Sequence, residues 1–252
     1  MAERYRYVGQ ELELFALATN WKRYFRRHLR PFIRGDVLEV GSGIGSVTRV
    51  LCEAHHRSWT CLEPDATLAG RLAGALRCRP LPVRVEVLTG TTADLPPQRL
   101  FDSILYIDVL EHIEDDGGEL KTAAGHLCPG GSLVVLAPAH PRLYSEFDAA
   151  VGHFRRYDRS SLSAVSPPGL RIERLYYLDS VGCLASMANR LLLRQGMPTR
   201  RQIRLWDGLF VSLSRLADPL LGYRLGKTIV GVWRADRRPP APASAGTCAS
   251  VL

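Results

Sequence analysis

The chain has 252 residues, 46% of them hydrophobic and 23% charged, which suffices to bury one substantial α/β core with an appendage. It contains no long uncharged apolar run, so no membrane-spanning helix is expected, and its opening, MAERYRYVGQELELF, is charged from the third residue and lacks the apolar centre of a secretory signal. The formal charge of +8 fits either solvated arginine faces or an anionic partner: a membrane surface, a phosphorylated or lipid-linked substrate, or nucleic acid.

Six cysteines (Cys52, Cys61, Cys78, Cys128, Cys183 and Cys248) form no CxxC pair and read as reduced thiols of a cytoplasmic protein. Residues 10–30 place Leu12, Phe15, Ala16, Ala18, Trp21, Phe25 and Leu29 at helical spacing. One amphipathic helix is predicted there, ended by Pro31, and residues 1–34 are assigned to it. Short apolar runs at 37–40, 58–62, 83–87, 104–107 and 132–137 predict strands, and helical patterns at 46–55, 66–77 and 116–127 fall between them. Such alternation predicts a parallel sheet with helices on both faces. Two more strands, 171–177 and 228–233, are separated by amphipathic stretches at 181–193 and 203–216. These read as a helical insertion over 181–226: a lid, a dimer interface or a membrane-facing surface. The core is bounded at 35–180, a final strand at 227–236, and the Pro-, Ala- and Ser-rich residues 237–252 are expected to be disordered.

The stretch VLEVGSGIGSVTRV carries the first chemical signal. A dinucleotide loop reads G-x-G-x-x-G and rests a pyrophosphate on a helix N-terminus. Gly41 and Gly43 fit that pattern, but its third position is Ser46, and the glycine stands instead at Gly45. Glu39, two residues before the first glycine, would repel a pyrophosphate and attract an ammonium group. S-adenosylmethionine carries such a group and no phosphate. The glycines then allow close backbone approach to the ligand, with Ser42 between them. The second strand ends in CLEPD, where Glu63, followed by Pro64, is placed to accept hydrogen bonds from a ribose diol.

LEVGSGIG, CLEPD, GTTADLP and FDSILYIDVLEHIEDD, in that order and followed by LCPGGSLVVLAPA, resemble the motifs of class I S-adenosylmethionine-dependent methyltransferases of the type 11/12 group. The resemblance spans residues 37–139. It implies a Rossmann-like, mostly parallel seven-stranded sheet of order 3-2-1-4-5-7-6 with an antiparallel last strand. It also implies that Thr92, Ala93 and Asp94 lie beside the adenine. Ile107 and Asp108, leaving the fourth strand, and His112 beyond them are expected on the cofactor side.

Methyl transfer needs in-line positioning and exclusion of water, and a base only where the acceptor loses a proton. No metal is required, and no metal constellation is expected. Acceptor residues should follow the fourth and fifth strands, at the carboxyl edge of the sheet. There PAHPRLYSEFDAAVGHFRRYDRSSL resembles a D…GHxRRY segment found in a subset of these enzymes. His153 is read as the base with Asp148 orienting it, and His140 as second choice; Tyr144, Arg156 and Tyr157 are assigned to the substrate. Arg155 and Arg156 either bind an anionic group or pair with Asp148 or Glu146. No [DN]PP[FY] motif follows the fourth strand, LCPGG reverses a catalytic Pro-Cys, and no RNA-binding module is visible. A small-molecule hydroxyl or carbon acceptor of bacterial specialised metabolism is therefore expected, without nucleic acid and with a homodimer open. A lipid-linked substrate at a membrane surface and a non-catalytic S-adenosylmethionine-binding partner remain alternatives.

Overall fold

The strand β1 (Asp36–Val40) is buried at every position after the first, as a parallel strand covered on both faces must be. The computed structural model describes Tyr7, residues 11–192 and residues 197–236. Beside β1 lie β2 (Ser58–Glu63), β3 (Arg84–Thr89), β4 (Phe101–Ile107) and β5 (Leu127–Pro138), with β6 (Leu170–Leu178) and β7 (Thr228–Ala235) completing one sheet. Its order is β3-β2-β1-β4-β5-β7-β6, as the motif resemblance implies. The first five strands are parallel, and β7 runs antiparallel to both β5 and β6.

The period of two along each strand divides the core between the two faces of the sheet. Leu105, Ile107, Val134 and Leu136 join one cluster with Trp21, Phe25 and Trp59. Ile104, Tyr106, Leu133 and Val135 join the other with Tyr157, Leu162 and Trp233.

Residues 10–30 do not form the single helix predicted. They make α1 (Glu11–Ala16) and α2 (Thr19–Leu29), broken at Leu17–Ala18; Gln10 lies outside the described residues. Two side chains, one nearby and one far along the chain, stabilise the break. The Lys22 ammonium donates to the carbonyls of Phe15 at 2.6 Å and Ala16 at 3.4 Å, satisfying the end of α1. Ala18 cannot cap α2 with its side chain; the buried Asp207 carboxylate does so instead, accepting the backbone N–H of Asn20 at 3.1 Å and of Trp21 at 2.8 Å.

The helix predicted over 46–55 is also shorter. Only α3 (Thr48–Leu51) forms, and Cys52 turns extended. Beyond it, the Glu53 carboxylate binds Arg26 at 3.0 Å and Arg30 at 3.2 Å, drawing the chain toward α2 and the turn that follows it, while His56 Nδ1 accepts the Glu53 N–H at 3.0 Å. Next come α4 (Ala66–Cys78), capped by Asp65, and α5 (Asp116–Gly125), capped by Asp115. Short helices α6 (Glu146–Ala150) and α7 (Arg159–Ala164) lie between β5 and β6.

Between β6 and β7 stands the insertion: α8 (Ser180–Leu192), α9 (Arg200–Leu205), a π-helical turn (Trp206–Phe210) and α10 (Val211–Leu220). From Arg200 to Leu220 the run is continuous, longer than the 203–216 predicted. Asp218 is buried and accepts the N–H of Asp179 at 2.7 Å and of Ser180 at 2.9 Å, and the Tyr24 hydroxyl at 2.8 Å. Asp207 and Asp218 thus tie the insertion to α2 and to the start of α8. Leu193 and the tail 237–252, including Cys248, lie outside the described residues. The other five cysteines are free thiols.

Candidate functional site

At the carboxyl ends of β1 and β4 lies a cavity of about 190 Å³. The glycine loop forms one wall. Gly41, Gly43 and Gly45 all adopt positive φ (67°, 53° and 76°), which side chains disfavour. Close approach of a ligand is not the reason for all three, as the sequence reading supposes. A Cβ on Gly41 would meet the Val109 side chain at 2.6 Å, and one on Gly45 would meet Leu72 Cδ1 at 2.3 Å. Only Gly43 faces room, with Leu12 methyls at 3.7 Å.

Glu39 lines the cavity from the end of β1 and is buried. Its Oε2 accepts the Trp59 indole N–H at 2.7 Å. Burial pushes this carboxyl up to about 7 against the hydrogen bonds from Thr48 and Trp59 that hold it down. Ser42 contributes a buried hydroxyl with no protein partner. Glu63, at the end of β2, accepts the Gly43 N–H at 2.7 Å and the Asp65 N–H at 3.0 Å; burial raises its pKa and those two bonds oppose the shift. Pro64 follows it, and Asp65 is committed to capping α4 and to the Tyr7 N–H at 2.9 Å. Tyr7 also lies against the His112 ring, centroids 5.9 Å apart, so this residue spans from the end of β2 to the loop after β4.

Of the residues expected near an adenine, Ala93 and Asp94 are exposed. The Asp94 carboxylate accepts from the Thr91 backbone and hydroxyl at 2.7 and 2.8 Å. The Thr92 side chain is buried and donates to the Glu119 carboxylate at 2.9 Å, because the turn at 92–94 packs that hydroxyl against α5.

The other side of the cavity brings together residues from four parts of the chain. Ile107, Asp108, Glu111 and His112 follow β4; Phe147, His153 and Arg156 come from the segment after β5; Trp206 from the insertion; Lys227 and Thr228 from the start of β7. Phe15, Trp21, Lys22 and Phe25 close it from α1 and α2. Asp108 has φ 54°, a conformation that turns its side chain out of the strand direction. It opens onto the cavity, yet the surrounding protein desolvates it and pushes its carboxyl up to about 6, with His153, Lys22 and Lys227 pulling the other way. Burial lowers Lys22 to about 8 and also lowers Lys227, whose ammonium sits 4.8 Å above the Trp206 ring.

Asp148 organises the floor. It is fully buried. Its Oδ1 takes His153 Nδ1 at 2.9 Å and Arg156 Nε at 2.8 Å, and its Oδ2 takes the Ser145 N–H and hydroxyl at 2.8 and 2.9 Å. Burial alone would raise this carboxyl, but the bonds from His153 and Arg156 win and hold it well below the usual carboxylate range. An ionised carboxylate only accepts, so Nδ1 of His153 is the donor to Asp148 and Nε2 is the ring nitrogen turned away from it. That Nε2 lies 3.8 Å from Glu111 Oε1. Glu111 is fully buried and neither carboxyl oxygen has a hydrogen-bond partner; desolvation, then the neighbouring Asp108, raise it far above its usual value. The His112 ring stands edge-on to that of His153, centroids 4.6 Å apart, and burial lowers it to about 4, keeping it neutral.

Sequence predicts no metal constellation, and the fold brings three potential ligands together. Among the described residues, Glu111, His112 and His153 each place one ligand atom within 4.8 Å of the others, with Asp148 behind His153 as an orienting carboxylate.

Of the cofactor assignments, Gly45, Glu63, Pro64 and residues 92–94 do not line the cavity, and Asp148 lies behind its wall. Three acceptor assignments also fall outside it. His140 does not point into it: Nε2 bonds the Gly226 carbonyl at 3.0 Å and its ring stacks on Tyr177, because a positive φ of 63° swings it toward β6. Tyr157 is buried, its hydroxyl donating to Asp116 at 2.7 Å. Tyr144 is half-exposed and donates to the His153 carbonyl at 2.6 Å. Of the two arginines, Arg156 pairs with Asp148 and lines the cavity, whereas Arg155 binds Asp116 at 2.9 Å and the Glu114 carbonyl at 2.6 Å. Lys22, Lys227 and the aromatic wall are not singled out by sequence as site residues, whereas Glu111 stands in the DVLEH run that offers acceptor-side groups.

A seven-stranded sheet of this order with its ligand groups at the carboxyl edge defines the Rossmann-like class I methyltransferase architecture. A model of the methyltransferase domain family matches residues 10–165, well over half the chain, and the protein belongs to that family. It is similar to a demethylmenaquinone methyltransferase of Tropheryma whipplei, 31% identical over 134 residues that make 52% of this chain and 53% of the relative. It is also similar to a tRNA U34 carboxymethyltransferase of Syntrophotalea carbinolica, 29% identical over 164 residues, 65% of this chain and 46% of the relative. The aligned region thus spans about half the length of these curated relatives. Among solved structures, the [4+2]-cyclase SpnF shares the fold with a TM-score of 0.59 at 16% identity, over 87% of this chain and 81% of that one.

Proposed function

We propose that the protein transfers a methyl group from S-adenosylmethionine to a hydroxyl or ring carbon of a small aromatic, quinol-type acceptor. The observation that carries this reading is the His153 imidazole, tethered to ionised Asp148 through Nδ1 and presenting Nε2 at a cavity walled by Phe15, Trp21, Phe25, Phe147 and Trp206. When bound, the cofactor supplies an electrophilic methyl on a positive sulfur. Glu39 would hold its ammonium, the Gly43 backbone would allow its approach, and Glu63 would accept the ribose hydroxyls. The buried, unpartnered Ser42 hydroxyl and the room above Gly43 fit such a ligand.

The chain's own part is to position the acceptor, exclude water and take one proton. Aromatic walls favour a flat ring, and Lys22, Lys227 and Arg156 favour the anionic form of a phenol over its neutral form. The acceptor proton passes to His153 Nε2. With the cofactor bound, His153 Nε2 would hold the proton that the acceptor oxygen or carbon gives up as it takes the methyl. His153 shares its imidazolium charge with Asp148. The likeness to a demethylmenaquinone methyltransferase supports a quinol-type ring.

The test is calorimetric titration with S-adenosylhomocysteine and with NAD⁺, followed by labelled methyl transfer to a panel of catechols and naphthoquinols. Expected are binding of the first ligand alone and turnover that His153→Gln lowers by about 10²–10⁴ while homocysteine-adenosine binding is retained. Binding without transfer to any hydroxyl or carbon acceptor would leave a cofactor-binding partner protein. Full turnover in His153→Gln would remove the base assignment.

A further inference from the structure

The helical run Arg200–Leu220 presents two faces with different tasks. Its inner face places Trp206 in the cavity wall and buries Ile203, Asp207, Val211, Ser214 and Asp218. Its outer face carries Leu205, Leu209, Leu213, Leu216 and Leu220, spaced four, four, three and four residues apart. All five are exposed, Leu216 at 70% and Leu220 at 87%. At 1.5 Å per residue they form an apolar ridge of about 22 Å. Exposed apolar positions at this density on one helix mark an interaction surface.

The charges around the ridge say what kind. Over residues 197–224 the exposed charged side chains are Arg200, Arg201, Arg204, Arg215 and Arg224. The acidic residues of that stretch, Asp207 and Asp218, are both buried and committed to backbone amides. Within this stretch no exposed carboxylate offsets the arginines. A second copy of the same face would bring two all-cationic borders together. An anionic surface with an apolar interior satisfies both features at once. No helix among the described residues is long and apolar enough to cross a membrane, which leaves the orientation in the plane of the interface that a leucine ridge flanked by arginines favours.

We propose that the outer face of this insertion docks on an anionic lipid bilayer, the leucine ridge entering the acyl boundary and the arginines lying on the headgroups. Docking holds the helix whose other side is the cavity wall against the lipid, so an amphiphilic acceptor would have a short path into the site. The membrane contact itself does not depend on the methyl-transfer reading.

The experiment is co-sedimentation of the full chain with phosphatidylcholine vesicles, with and without phosphatidylglycerol, at an ionic strength of about 0.15 M. Two variants test the two features: Leu216→Ser with Leu220→Ser, and Arg204→Glu with Arg215→Glu. All four positions are exposed, so both variants should melt like the wild type. The wild type is expected to sediment with the anionic vesicles. The leucine variant should lose most of that binding. The charge variant should lose more, since each arginine near an anionic surface contributes a factor on the order of five. A wild type that stays in the supernatant overturns the proposal. So does a leucine variant that sediments as well as the wild type, because the ridge would then be idle. If vesicles do not bind and the wild type is a dimer that the leucine variant dissociates, the face belongs to a second copy and the membrane proposal falls.

Discussion

Replacing Asp148 with Asn keeps the size of the side chain and removes its charge, a perturbation whose cost follows from its partners. Arg156 is almost wholly buried and pairs with Asp148 at 2.8 Å; His153 is bound to the same oxygen. Removing one partner of a buried ion pair while leaving the other in place costs about 3–5 kcal/mol. For a chain of this length 1 kcal/mol moves the melting temperature by about 2–4 °C, so the variant should melt roughly 10 °C lower by calorimetry. The double variant Asp148→Asn, Arg156→Met should recover most of that loss, since no unpaired charge is left inside. The pH dependence has a fixed sign. Asp148 is held below its unfolded pKa, so its contribution is present above about 4 and is lost as pH falls through the lower folded value. The gap between wild type and Asp148→Asn should therefore be constant from neutral pH down to about 5 and close in acid. A variant melting within a degree of the wild type, or a gap that widens in acid, would refute this account of the cavity floor.

Gly45→Ala should cost about 2–4 kcal/mol in chemical denaturation, because its Cβ meets buried Leu72 at 2.3 Å in a positive-φ conformation. Gly43→Ala should cost only about 1 kcal/mol of stability yet weaken S-adenosylhomocysteine binding, since its Cβ would meet only the Leu12 methyls, at 3.7 Å; equal losses of stability would contradict the assignment of the two glycines. Affinity for S-adenosylhomocysteine should rise up to about tenfold from pH 6 to 8 as Glu39, pushed up to about 7, ionises toward the ligand's ammonium, and calorimetry on Glu39→Gln should show a flat profile. Asp207→Ala should lower stability by about 1–2 kcal/mol and speed hydrogen exchange at the Asn20 and Trp21 amides, which that carboxylate caps from across the fold; unchanged exchange there would show that α2 does not need the cap.

The strands were legible because a buried parallel sheet writes itself as short apolar runs, and β1 and β4 are of that kind. The pairing order came from the motif resemblance rather than from those runs. What sequence did not show was set by contacts between distant residues. Nothing near Leu17 announces a helix break, since the groups that stabilise it are a lysine several residues later and an aspartate from the insertion. The helix after the glycine loop stops at Leu51 because Glu53 is claimed by Arg26 and Arg30, a pairing invisible in local periodicity. His140 ranks second to His153 as a candidate base on sequence. A positive φ at His140, and an acceptor-only carboxylate beside His153, separate them.

The cationic half of the cavity has a topological origin. In the parallel strands, ligand groups must come from the carboxyl ends, and Asp108 and Glu39 do. Because β7 runs antiparallel, its first residue reaches that same edge: Thr228 pairs with Pro138 at the end of β5 and with Leu178 at the end of β6. Lys227, one residue earlier, is thereby delivered into the cavity by the reversed strand. The same pairing means that the insertion leaves the sheet at Leu178 and returns at Thr228, positions directly opposite each other. However long it grows, it starts and ends beside the site and can only build outward from that corner. Trp206 on its inner face and the leucine ridge on its outer face are consequences of that anchoring. In this fold, lengthening the β6–β7 connection adds material over the ligand edge and leaves the pairing of the other strands unchanged.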